Sequence, residues 1–219
     1  HHVQTLIFDP METTKRHHSM ASRLEIMSHA HDRCALILID CQQGFKDWDY
    51  WGANRNNPAL EHNLLQLLNH WRANQLPIVH VVHHSRDVNS LLRRDKSSGE
   101  IWPELTPIAG EEVIVKRENS SFIGTELEVY LRRNHINQLA IAGLTTNHCV
   151  STTVRMAGNM GFDVRLVGEA CATFDRVGPD GSTYAAQLIH DIALSDLHGE
   201  FCQVVNIGEL LTNVANQCR

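Results

Sequence analysis

Three side chains able to share one nucleophilic reaction stand at or beyond the ends of apolar runs: Asp40 after "CALILI", Lys116 in "EVIVKR", and Cys149 after "QLAIAG" and the polar "LTTNH". A cysteine attacks as its thiolate, and at an ordinary pKa of about 8.5 only a few per cent is ionised at neutral pH. Cys149 opens a segment with helical spacing, and the free N–H groups of a helix's first turn favour negative charge, as would a nearby lysine ammonium. A carboxylate in the same place can accept the thiol proton and later return it to a leaving group. The helix start also offers N–H donors for a developing oxyanion. Taken singly, each residue has a plain structural explanation. An aspartate caps a turn, a lysine marks where a strand meets water, and a thiol packs as a small hydrophobe. The chemistry depends on the three converging.

The elements that would bring them together are legible from periodicity. "CALILID" is a short apolar run, as expected of a strand covered on both faces. After an aromatic-rich loop, "ALEHNLLQLLNHWRA" places Leu60, Leu64, Leu67, Leu68 and Trp71 at helical spacing. "LPIVHVVHHS", "EVIVKR", "QLAIAG", "DVRLVG" and "CQVVNI" read as further strands. "TELEVYLRRNH", the segment after Cys149, "STYAAQLIHDIALSDLHG" and the C-terminal segment read as further helices. Strands alternating with helices imply right-handed crossovers and a mainly parallel sheet of about six strands with helices on both faces, an α/β/α sandwich. Ligands of such sheets bind beyond the carboxyl ends of the strands, where Asp40, Lys116 and Cys149 fall.

Composition excludes several classes. The chain is 42% hydrophobic and 20% charged with a net charge of −6, which suits a globular protein and not a nucleic-acid footprint, since phosphate binding needs a clustered basic face. No apolar stretch approaches the roughly 20 residues needed to span a bilayer, so neither a membrane nor a nucleic acid is an expected partner. Residues 1–33 begin with histidines, lack the pattern of a signal peptide, and read as a leader foreign to the domain, which is expected to occupy 34–219. The six cysteines form no C-x-x-C pair, and a reducing cytoplasm fits them best.

The segments "LILIDCQQGF", "VIVKRENSSF" and "GLTTNHCVSTT" resemble the three signature segments of the isochorismatase-like cysteine hydrolases, in that order. The likeness extends through "WGANRNNP", "VRMAGNMGF" and "ATFD", covers residues 34 to about 208, and is strongest for members carrying the "WGANRNNP" type of motif. That family includes isochorismatase, nicotinamidase, N-carbamoylsarcosine amidohydrolase and ureidoacrylate or biuret hydrolases. The resemblance implies a catalytic Asp40, Lys116 and Cys149, an oxyanion hole from the N–H groups of Thr145 and Cys149, and a cis peptide between Leu144 and Thr145. It further implies a homodimer or homotetramer acting on a small molecule. Nicotinamidase-type members carry an aspartate-x-histidine metal site after the first strand. In "KDWDYWG" neither Asp47 nor Asp49 has a histidine two residues later, so no metal or other cofactor is expected.

The substrate pocket should draw on the loops leaving the strands. Phe45, Trp51, Phe122 and Phe174 are candidates for an apolar wall, with core packing as the competing account of each. Asn119, His148 and Gln42 are polar candidates, and a turn-forming role competes for Asn119. His80, His83 and His84 read first as hydrogen-bonded structural residues, with His84 the one able to reach the cleft. The reading favoured is hydrolysis of a small amide, carbamoyl or ureido C–N bond through a Cys149 thioester. Enol-ether hydrolysis of the isochorismatase type and a non-catalytic, redox-sensing oligomer are the alternatives.

Overall fold

The computed structural model describes residues 33–217, so the segment read as a leader lies, but for Arg33, outside the described residues. Strands β1 (Cys34–Ile39), β2 (Ile78–His83), β3 (Glu112–Lys116), β4 (Gln138–Leu144), β5 (Asp163–Ala172) and β8 (Gln203–Val205) form one six-stranded sheet, in the order β3-β2-β1-β4-β5-β8. Every pairing in it is parallel. Successive connections from β1 move outward to β2 and β3, whereas β4 starts again on the other side of β1. The crevice between the ends of β1 and β4 is therefore the switch point at which open α/β sheets bind ligands.

All six residues of β1 are buried because both faces of the sheet are covered. Leu36 and Leu38 face α2 (Leu60–Ala73) and α6 (Ile207–Gln217), whose Leu60, Leu64, Leu67, Trp71 and Leu210 complete one core. Ala35, Ile37 and Ile39 face the opposite core, built on α3 (Leu127–Arg133), α4 (Ser151–Asn159) and α5 (Ala186–Leu197). A short α1 (Trp48–Trp51) lies in the loop after β1. Among the described residues no helix is long and apolar enough to cross a membrane.

Two local features depart from the sequence reading. The polar stretch after β4 is not an open turn: Thr146–Val150 form a π turn that runs directly into α4, so Cys149 sits inside a helical turn and not at its opening. A hairpin, β6 (Arg176–Val177) with β7 (Thr183–Tyr184), takes residues that helical periodicity assigned to the start of α5. The turn between them is closed by Gly178 N–H donating to the Ser182 carbonyl, with the Asp180 carboxylate accepting from Ser182 N–H. Asp175 Oδ1 then accepts from Ala186 N–H at 2.7 Å, which starts α5 four residues later than "STYAAQ" suggests.

Gly143 holds β4 against β1 at the switch point. Its φ is +127°, and a Cβ there would lie 2.1 Å from the Ile39 carbonyl oxygen, its direct neighbour across the ladder. Gly143→Ala must therefore part the two strands that carry Asp40 and Thr145. We expect it to cost about 3 kcal/mol or more of stability, read as a lowered denaturation midpoint.

A second anchor joins α2 to the sheet edge. Glu111 accepts from Arg72 Nε (2.6 Å) and Nη2 (3.0 Å), from the Ile108 N–H (3.1 Å), and bonds His80 Nε2 (2.8 Å). Burial alone would raise the Glu111 pKa, but these partners outweigh it and hold the carboxyl at about 2, below its ordinary 4.5. A depressed folded-state pKa gives stability that is present above about 4.5 and lost as pH falls toward about 2. Between about pH 6 and about pH 3 the loss from this group should be about 2 kcal/mol. Denaturant titrations should show a shallower acid dependence in Glu111→Gln.

Candidate active site

Asp40 leaves β1 with φ +54°, a left-handed conformation that aspartate tolerates better than most side chains. Its N–H donates to the Val81 carbonyl (2.9 Å) and its own carbonyl accepts from Gln42 N–H (2.8 Å), so the chain reverses over the end of the sheet. The carboxylate is fully buried. Oδ2 forms an ion pair with Lys116 Nζ at 2.9 Å, and Oδ1 has no hydrogen-bond partner. A buried carboxylate oxygen without a donor is costly, which marks it as an acceptor kept open for something else.

Lys116, the last residue of β3, is 1% exposed, and its ammonium is the hub of the site. Nζ lies 2.8 Å from His83 Nδ1, 3.1 Å from the Glu118 carbonyl and 3.2 Å from Cys149 Sγ, besides its contact with Asp40. Burial opposes its charge, but Asp40 and Cys149 outweigh burial and hold its pKa above the ordinary value. The site therefore contains one cation and one anion. A thiolate would be a second anion in the same buried space. Burial first, then the Asp40 charge, push the Cys149 thiol well above its ordinary range, and Lys116 only partly offsets them. Burial first, and then the neighbouring carboxylate, thus favour the thiol form, and the ammonium that would stabilise a thiolate is shared with Asp40.

The Leu144–Thr145 peptide is cis. The amides of His148 and Val150 both donate to the Thr145 carbonyl, at 3.1 and 3.2 Å, and pass over the Cys149 N–H between them. A cavity of about 260 Å³ opens beside this turn, lined by Thr145, His148, His83, Phe45, Trp51 and Phe174, with Arg176 and Asp87 among its other walls. Phe45 stacks on Trp51 with ring centroids 4.4 Å apart, and both lie 6.2 Å from Phe174. The indole N–H of Trp51 donates to the Gly44 carbonyl at 2.8 Å, which fixes its ring.

The remaining candidates divide. Asn119 Oδ1 lies 3.8 Å from Cys149 Sγ, beside the sulfur. Gln42 is not available to a substrate. Its Nε2 donates to the carbonyls of His83 (3.0 Å) and Gly99 (2.7 Å), its Oε1 accepts from His83 N–H (2.8 Å), and it is fully buried. Phe122 belongs to the core, where it stacks on Phe162 at 5.9 Å. Of the three histidines in "VHVVHH", His83 and not His84 lines the cavity, together with His148, and His80 is tied to Glu111. The ligand atoms of Asp40, His83 and Cys149 lie within 4.8 Å of one another, a spacing that suits a metal ion. The Lys116 ammonium already stands within 3.2 Å of each of the three, where such a cation would sit.

With this arrangement in view, the chain can be placed among known proteins. Residues 34–206 match the Isochorismatase domain, and the chain belongs to the isochorismatase family of hydrolases. It is 39% identical over 182 residues to the uncharacterized isochorismatase family protein YrdC of Bacillus subtilis, covering 83% of this chain and 96% of that one. The crystal structure of a putative hydrolase of the family from Chromobacterium violaceum is 42% identical, with a TM-score of 0.81 over 84% of this chain and 95% of the other. The ureidoacrylate amidohydrolase RutB of Cronobacter turicensis is 26% identical over 63% of this chain and 73% of its own length.

Proposed function

We propose that the protein hydrolyses a small amide, carbamoyl or ureido compound at its C–N bond, with Cys149 as nucleophile. The observation that carries this reading is a buried thiol and a buried carboxylate, one oxygen of it unpartnered, bridged by a single ammonium beside a small cavity. Substrate entry lets Asp40 take the thiol proton as sulfur attacks the carbonyl carbon. Negative charge then leaves the Asp40–Cys149 pair for the substrate oxygen, which the Thr145 and Cys149 N–H groups receive. Protonated Asp40 delivers its proton to the departing nitrogen, releasing ammonia or an amine and leaving a thioester. A water activated by the same carboxylate cleaves the thioester and restores the thiol. The resting thiol suits this cycle, since sulfur and carboxylate need not be charged together.

The amidohydrolase named among the relatives supports a C–N bond as the target. Assembly as a homodimer or homotetramer stays part of the proposal, to be read by light scattering. The functional test is an ammonia-release screen over small amides, carbamoyl compounds and ureido acids. Release from at least one, absent in Cys149→Ser, is expected. Release that survives the substitution would count against the mechanism, and cleavage confined to enol ethers without any Cys149 adduct would favour the isochorismatase-type reaction.

A further inference from the structure

Lys116 fixes more than the sulfur and the carboxylate. An ammonium can only donate, so His83 Nδ1, 2.8 Å from Nζ, has to be the acceptor of that bond. A neutral imidazole accepting at Nδ1 carries its proton on Nε2. Burial first, then the Lys116 charge, hold the ring below its ordinary pKa; Asp40 and Glu118 pull the other way, and His84 sides with Lys116. The backbone of His83 is clamped as well, its N–H and carbonyl both bonded to the Gln42 amide. His83 lines the cavity, and among the described residues the hydrogen bond of its ring is the one at Nδ1, whose other near neighbour is Asp40 Oδ2 at 4.0 Å. With Nδ1 accepting from Lys116, the ring's remaining N–H is the one left to serve a ligand in the cavity that His83 lines.

We propose that His83 is a substrate-binding residue, locked by Lys116 as the Nε2–H tautomer, which donates a hydrogen bond to a second acceptor oxygen of the substrate beyond the scissile carbonyl. For its substrate this rests on the hydrolase reading above; the tautomer does not. The preferred compounds would then be those with two acceptor groups near the cleaved bond, such as ureido acids, over plain aliphatic amides.

N-carbamoylglycine, a ureido acid, and propionamide, which lacks the second acceptor, serve as probes. In protein labelled with ¹⁵N-histidine, long-range ¹H–¹⁵N correlation should show His83 protonated at Nε2 alone, and that resonance should move when N-carbamoylglycine is added. His83→Asn keeps an oxygen near Nδ1 to accept from Lys116 but places nothing where the Nε2–H stood. It should raise KM for N-carbamoylglycine about tenfold with kcat changed less than about threefold, and His83→Gln, whose terminal N–H reaches further, should recover most of the loss. For propionamide, which has no second acceptor, the rise in KM in His83→Asn should be several-fold smaller than for N-carbamoylglycine; an equal rise for both compounds would point to a general disturbance of the site and overturn the assigned hydrogen bond. A proton on Nδ1, an unmoved Nε2 resonance, or an unchanged KM in His83→Asn overturns the proposal. Should Nε2 respond to N-carbamoylglycine while wild-type protein releases no ammonia from it, the donor stands and the hydrolase reading fails for that compound, so the two are separable.

Discussion

Asp40→Asn should slow turnover by about 10³-fold or more while making Cys149 easier to alkylate. The two effects have opposite signs and one cause. Asparagine is nearly isosteric and tolerates the left-handed backbone at this position, so the fold around the switch point should persist. The carboxylate charge that raises the thiol pKa is gone, and the pull of Lys116 on the sulfur is then unopposed by an anion. Iodoacetamide should therefore modify Cys149 faster at neutral pH than in the wild type, although burial still holds the thiol above its ordinary value. Turnover nonetheless collapses, because an amide cannot take the proton from sulfur or deliver it to the leaving nitrogen. The variant also leaves the Lys116 ammonium without its buried counter-charge, and about 3 kcal/mol of stability should be lost with it. A purely structural Asp40 would lower stability and activity but would not speed alkylation.

Cys149→Ser is expected to abolish turnover, by about 10⁴-fold or more, at nearly unchanged stability. The hydroxyl is smaller than the thiol, it can still accept from Lys116, and the π turn that presents it does not depend on the sulfur. What disappears is the nucleophile. An alcohol is far harder to ionise than a thiol, and this site, already holding one anion against one cation, penalises even the thiolate. Denaturation midpoints within about 1 kcal/mol of wild type, alongside the lost rate, would separate a chemical role from a structural one.

The parts of this arrangement that were legible in the sequence are those set by burial of whole elements. "CALILI" and "QLAIAG" had to be interior strands, and the leucines of α2 had to face one side of them, because no other placement removes so much apolar surface from water. Residues closing such strands must gather at one edge, so Asp40, Lys116 and Cys149 could be grouped before any distance was known. What escaped depends on single hydrogen bonds. Nothing in "VHVVHHS" says which histidine turns into the cleft; the choice falls on His83 because it closes β2 beside Lys116, and Gln42 clamps its backbone. The same bonds withdraw Gln42 from the substrate. Phe122 and Phe174 look alike as loop aromatics, yet one meets Phe162 in the core and the other meets Trp51 at the cavity. The hairpin before α5 was announced by "GPDG", but helical spacing from Tyr184 onward masked it.

That Cys149 sulfur forms the covalent bond to substrate is tested most directly by rapid acid quench and peptide mass mapping during the first turnover of whichever compound the ammonia screen returns. The acyl group should appear on the Cys149 peptide as ammonia or amine is released, and disappear as the thioester hydrolyses. A burst of ammonia with Cys149 unmodified at every time point would contradict it.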